Sequence, residues 1–168
     1  MELYVPPKKG KRHILRLIRE LIAFEPKRTQ TNIALCLETL LKVLKHQGIV
    51  VLISDFVAPV SQFERPFKLA AKKFDLIPIK VQDKLEYKLP HVPVCVGTID
   101  PETGETDELC LSDEELNKNL RDFEQRQQRD LRALFTPFKI EPIVADTAKP
   151  LADPVIAFFK RRAKKIRK

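Results

Sequence analysis

The sequence predicts an α/β fold in which helices cover both faces of a mostly parallel sheet. Three observations carry that prediction. Residues 49–56, IVVLISDF, form a continuous apolar run that stops abruptly at Ser54-Asp55, as a strand buried on both faces does. Segments with helical spacing stand on either side of it. A second apolar run, LIPIKV at 76–81, follows the next helix, and such a strand–helix–strand unit closes as a right-handed parallel crossover. Ligands of these sheets sit just beyond the carboxyl ends of the strands, where Asp55 stands.

In chain order, ELYV (2–5) reads as a short strand stopped by Pro6-Pro7, with no leader before it. A helix over 11–24 carries Ile14, Leu17, Ile18, Leu21 and Ile22 on one face, with Arg12, Arg16 and Arg19 off it; Pro26 ends it. After the KRTQT loop, Thr31 is placed to cap a second helix over 32–46. The broad stripe of that helix includes Ile33, Leu37, Leu40, Leu44 and Cys36, the cysteine reading as a small core hydrophobe. Gly48 suits a left-handed helix end. Beyond Asp55, a helix over 66–74 begins with Pro66 in its first turn and buries Phe67, Ala70, Ala71 and Phe74. Pro78 within the following strand suggests an edge or a bulge.

A polar connection (84–93) leads to two extended runs, VCVGTI (94–99) and TDELCL (106–111), which flank DPETGE and read as an inserted or edge hairpin. That register sets Cys95 opposite Cys110. Ser112 and Glu115 match a capping box for a helix reaching Phe135, with Leu116, Leu120, Phe123, Leu131 and Leu134 on its apolar face. Its middle, EQRQQRD, reads as polar all round. FKIEPIVAD (138–146) is the third parallel strand. Asp153-Pro154 starts a last helix, docked by Val155, Ile156, Phe159 and Ala163.

The totals bound the function classes. A chain of 168 residues with 43% apolar and 32% charged content fits one globular domain. No apolar run reaches the roughly 20 residues a membrane span needs. Cys36, Cys95 and Cys110 show no metal spacing among themselves or with His13, His46 and His91, which argues against zinc and for reduced thiols in a cytoplasmic protein. The net charge of +8 is concentrated in KRRAKKIRK (160–168), which holds seven basic residues and no acid. Such a tail can bind phosphate backbones or anionic headgroups; its plainer reading is the solvated, cation-favoured end of a helix.

Asp55, Asp83 and Asp146 each follow a predicted strand. Converging carboxylates could hold Mg²⁺ or Mn²⁺ and serve a metal-dependent phosphoesterase or nuclease. The plainer reading has each aspartate capping a helix or closing a turn. No Walker loop, Gly-x-Ser-x-Gly elbow or dinucleotide fingerprint is present, and the chain has four glycines to build one from.

The order ELYVPPKKGKRH (2–13), TNIALCL (31–37), VLISDF (51–56), LP (89–90) and DPETGE (100–105) resembles the carboxyl-terminal part of the bacterial von Willebrand factor A-like proteins of unknown function encoded beside MoxR-type AAA+ ATPases. The resemblance implies a partial von Willebrand A domain, Rossmann-like, over residues 1–160, followed by a basic tail at 161–168. It further implies a metal-ion-dependent adhesion site built from an Asp-x-Ser-x-Ser loop, a threonine matched by Thr31 and an aspartate matched by Asp55. A partner's carboxylate typically completes such a site. The function implied is therefore a non-catalytic protein-binding or assembly module on the cytoplasmic side, membrane-associated through preceding segments. Its partner would be a MoxR-type ATPase or the domain's own amino-terminal half.

No Asp-x-Ser-x-Ser occurs in the chain. The metal site would be incomplete, with no divalent ion bound by this chain alone, and the family's central strand, its helix and the next strand would lie before Met1. Baring about 400 Å² of apolar surface for want of them forfeits roughly 10 kcal/mol, as much as a whole domain's net stability. The expected consequence is an open edge on strand 49–54.

Overall fold

A computed structural model describes residues 3–25, 31–86, 89–90, 92–100 and 104–166. Glu2 of the first expected strand, Pro26, residues 27–30, 101–103 of the hairpin link and 167–168 of the basic tail lie outside them.

The fold is mixed α/β, with a parallel three-stranded sheet flanked by helices, as a partial Rossmann-like fold would be. Helices α1 (Lys11–Ala23) and α2 (Ile33–Val43) precede strand β1 (Ile49–Ser54); α3 (Val60–Lys73) crosses to β2 (Asp75–Gln82). A hairpin of β3 (Cys95–Ile99) and β4 (Thr106–Cys110) leads into α4 (Glu114–Phe135), β5 (Ile143–Asp146) and α5 (Ala152–Ile166). The sheet order is β1-β2-β5, and β3-β4 forms a separate antiparallel pair. The register runs from Ile49↔Asp75 to Ser54↔Lys80 and from Ile79↔Ile143 to Gln82↔Asp146. All three carboxyl ends thus share one edge.

One face of the sheet is filled. Leu52 and Leu76 pack with Ile33 and Leu37 of α2, Phe63, Phe67 and Ala70 of α3, and Leu131, Leu134 and Phe135 of α4. On the opposite face α5 covers only β2 and β5, through Ile77, Ile143 and Phe158. Strand β1 is therefore not buried on both faces: Ile49, Val51 and Ile53 are 65, 47 and 64% exposed. Among the described residues it has one neighbour, β2. Helix α1 forms as the spacing predicts, yet buries none of its residues.

Several local expectations give way to better-satisfied alternatives. Residues 3–5 form no strand. Asn32, not Thr31, caps α2, its Oδ1 accepting from Leu35 N–H at 2.8 Å. That helix stops at Val43, and Gly48 is not among the glycines with positive φ. Lys73 of α3 explains why: its Nζ donates to the carbonyls of Leu41 and Leu44 at 3.2 and 2.6 Å, closing the helix end with a cation where a left-handed glycine would otherwise serve. Helix α3 starts at Val60, so Pro66 lies inside it; the early start brings Phe63 into the core. Pro78 lies on the central strand, but the β5 ladder begins only at Ile79, leaving Pro78 a neighbour on one side.

Asp113 replaces Ser112 as the cap of α4, accepting from Glu115 and Leu116 N–H at 2.8 and 3.1 Å. The third strand is confined to Ile143–Asp146, because Thr136–Phe138 continue as a 3-10 turn that ends at left-handed Lys139. In α5 the buried ring is Phe158, whereas Ile156 and Phe159 stay 49 and 43% exposed. This helix also takes in residues 161–166 of the basic tail, and Arg162 pairs with Asp75.

The cysteine expectations are corrected as well. Cys36 is exposed on α2, because α2 buries the Ile33–Leu37 line instead. Cys95 faces Cys110 in the register foreseen, and the two are joined in a disulfide rather than left reduced. The Leu111 N–H to Val94 carbonyl bond beside them marks the non-hydrogen-bonded kind of facing pair, in which side chains stand closest.

Candidate functional site

The carboxyl edge of the sheet gathers the polar residues singled out by sequence. Strand β1 ends at Ser54, whose Oγ accepts from Phe56 N–H at 3.0 Å. Asp55 Oδ1 accepts from Val57 N–H at 3.2 Å and from Ser54 Oγ at 3.3 Å. The Asp55 side chain is exposed.

Phe56 is the unusual member. Its φ of 57° is a left-handed conformation that costs a bulky residue of order 1–3 kcal/mol. The cost is offset by a fully buried ring lying 6.2 Å from Phe63 and 6.1 Å from Phe135. Gln127 of α4 fastens the same turn. Its side chain is buried, and Nε2 donates to the carbonyls of Phe56 and Ala58 at 2.5 and 2.8 Å. The loop that carries Asp55 is thus pinned by an aromatic anchor below and an amide clamp from a distant helix.

Gln127 escaped the sequence reading because EQRQQRD looks uniformly polar. The signal was present in the spacing. Leu116, Leu120, Phe123, Gln127, Leu131 and Leu134 follow one another at helical intervals, so Gln127 occupies a core position in the apolar stripe.

Thr31 is exposed, two residues before α2. Only residues 44–48 separate α2 from β1.

Asp83 and Asp146 lie at the same carboxyl edge of the sheet, but each is engaged by its own turn. Asp83 accepts from Thr147 Oγ1 at 2.5 Å and from Leu85 N–H at 2.9 Å. The Thr147 hydroxyl, then the Leu85 amide, hold its carboxyl below the ordinary value. Asp146 is likewise held low, first by Lys149 at 3.0 Å and then by the Ala148 amide, also at 3.0 Å. These are turn closures that tie the end of β2 to the loop after β5.

Among the described residues no group of three or more His, Cys, Asp or Glu side chains comes together to hold a metal. Asp55 does not join Asp83 and Asp146, so the three-carboxylate cluster is not assembled. Hard divalent cations take six or more oxygen ligands, the smaller ones with several waters. Asp55 with nearby hydroxyls supplies a fraction of such a set.

Comparison with known proteins gives the kinship of this architecture. Residues 1–131 match the family described as protein of unknown function DUF58. The chain belongs to the DUF58 family. Its relatives include uncharacterized protein Rv1480 of Mycobacterium tuberculosis, 27% identical over 90 residues, which are 52% of this chain and 28% of that protein. Uncharacterized protein MAV169 of Mycobacterium avium is 29% identical over 110 residues, 64% of this chain and 63% of that protein. This DUF58 chain thus spans less than two thirds of the length of either relative. No solved structure matches it. No helix among its described residues is long and apolar enough to cross a membrane.

Proposed function

We propose that this DUF58 chain is a non-catalytic assembly module of the von Willebrand A-like type, with a MoxR-type AAA+ ATPase as partner. Thr31 and Asp55 contribute two of the ligands of a metal-ion-dependent adhesion site, and the remaining ligands come from a complementary α/β segment carrying the Asp-x-Ser-x-Ser loop. That segment adds a strand to the free edge of β1 and covers the bare side of the sheet, so metal binding and docking are one event.

The observation that supports this reading is the unfilled apolar surface around β1. Ile49 and Ile53 stand about two thirds exposed on a strand whose inner face is packed, and α1 presents its apolar stripe to nothing described. A free strand edge beside uncovered apolar side chains favours strand addition.

Hydrogen exchange tests the proposal directly. Mixed with a polypeptide that carries the Asp-x-Ser-x-Ser loop and its strand, the chain should gain protection at Ile49–Ser54. Mg²⁺ should strengthen the complex, and Asp55→Ala should cancel that gain. Exchange at β1 unchanged by the partner would overturn the docking half of the proposal. Tight, Asp55-dependent Mg²⁺ binding by the chain alone, seen by calorimetry, would overturn the incomplete site.

A further inference from the structure

A cavity of about 300 Å³ lies between β2, β5 and the last turns of α4, on the packed face of the sheet near its carboxyl edge. Its floor is apolar, made by Leu131, Phe135 and Val144, and its polar wall carries Lys80, Gln82 and Arg132. Lys80 is half-buried on the central strand β2. Neither Lys80 nor Arg132 meets a carboxylate among the described residues; the ion pairs formed by these residues lie elsewhere.

We propose that this cavity binds a small organic carboxylate with an apolar body. The chemistry follows from the lining. Two cations with no ion-pair partner among the described residues, one of them partly withdrawn from water, favour an anion, and a guanidinium matches the planar fork of a carboxylate. Gln82 supplies an amide donor beside them. The apolar floor then selects a hydrocarbon body over inorganic anions. The volume sits at the lower limit of ligand pockets, which restricts the occupant to a short branched-chain or single-ring acid. Lys80 stands opposite Ser54 in the sheet register, yet Asp55 lines none of this cavity, so the site is independent of the docking function.

The test is an NMR titration of the full ¹⁵N-labelled chain with phenylacetate, phenylacetamide and inorganic phosphate. Phenylacetate should give saturable shifts at the Leu131, Phe135 and Val144 amides. The neutral amide and phosphate should each bind at least about tenfold more weakly, since each lacks one of the two matched features. Lys80→Gln and Arg132→Gln should each weaken phenylacetate about tenfold, while Asp55→Asn leaves it unchanged. Arg132 is exposed, so its substitution keeps the fold and carries the test should Lys80→Gln fold poorly. Equal binding of acid and amide would overturn the proposal, as would phosphate binding best, shifts indifferent to Arg132→Gln, or no saturable shift.

Discussion

Helices α1 and α3 have similar lengths, 13 and 14 residues, and both carry a clear apolar face. Their fates differ completely. Helix α3 buries Phe63, Pro66, Phe67 and Ala70 against the sheet, whereas α1 buries nothing, with Leu21 and Ile22 at 76 and 81% exposure. Amphipathic spacing specifies that a face is made for burial; it does not say against what. The same split divides β1, packed through Leu52 and bare at Ile49, Val51 and Ile53. Around α2, α3 and α4 the molecule is finished as a core, whereas α1 and the outer face of β1 keep their apolar side chains exposed.

The largest expected effect separates those two sides. Phe67 is fully buried and stacks within 5.2 Å of Phe135, so Phe67→Ala should cost about 3–5 kcal/mol in denaturant unfolding. Ile22→Ser in α1 should stay within about 0.5 kcal/mol in the isolated chain. A loss above 1 kcal/mol for Ile22→Ser would mean that α1 is already packed in solution, and the comparison would fail.

Legibility in the sequence divides along the same line. The parallel unit and the five helices among the described residues follow from apolar spacing, and the hairpin with Cys95 opposite Cys110 follows from the turn residues of its link. The one-sided burial of β1 was not legible, since IVVLIS has the composition of a strand covered twice and carries no mark of which cover is present. Local ends were misread where a tertiary partner outbid a local one, as when Lys73 closed α2 in place of Gly48. Of the candidate site, Asp55 and its place at the strand end were readable. The left-handed Phe56 was not, because it arises only when a buried ring and the clamp from α4 act together.

That clamp is the next point at which the finished side can be broken. Gln127→Leu keeps the bulk of the side chain but strands the carbonyls of Phe56 and Ala58, which should cost about 1–3 kcal/mol. The loss should come with altered amide signals for Asp55–Ala58, a local signature that Phe67→Ala, acting on the whole core, would not single out. A Gln127→Leu variant as stable as the parent, with the Phe56 signal unmoved, would show that burial of the ring alone holds the turn.

The smallest effect concerns Asp83 and Asp146, which lie close to solvent. Both are held below the ordinary carboxyl value of 3.8 in the folded chain, so the unfolded chain takes up protons first as pH falls. Their contribution to stability is therefore complete above 3.8 and disappears as pH drops through the lower folded-state values. Asp83→Asn should flatten the acid side of the stability curve below 3.8, and Thr147→Val should do so nearly as well, because the Thr147 hydroxyl is the first cause of the Asp83 shift. If Thr147→Val left the acid limb unchanged while Asp83→Asn altered it, the Leu85 amide would be the dominant partner. The tie between the ends of β2 and β5 would then rest on the backbone bond from Thr147 N–H to the Gln82 carbonyl.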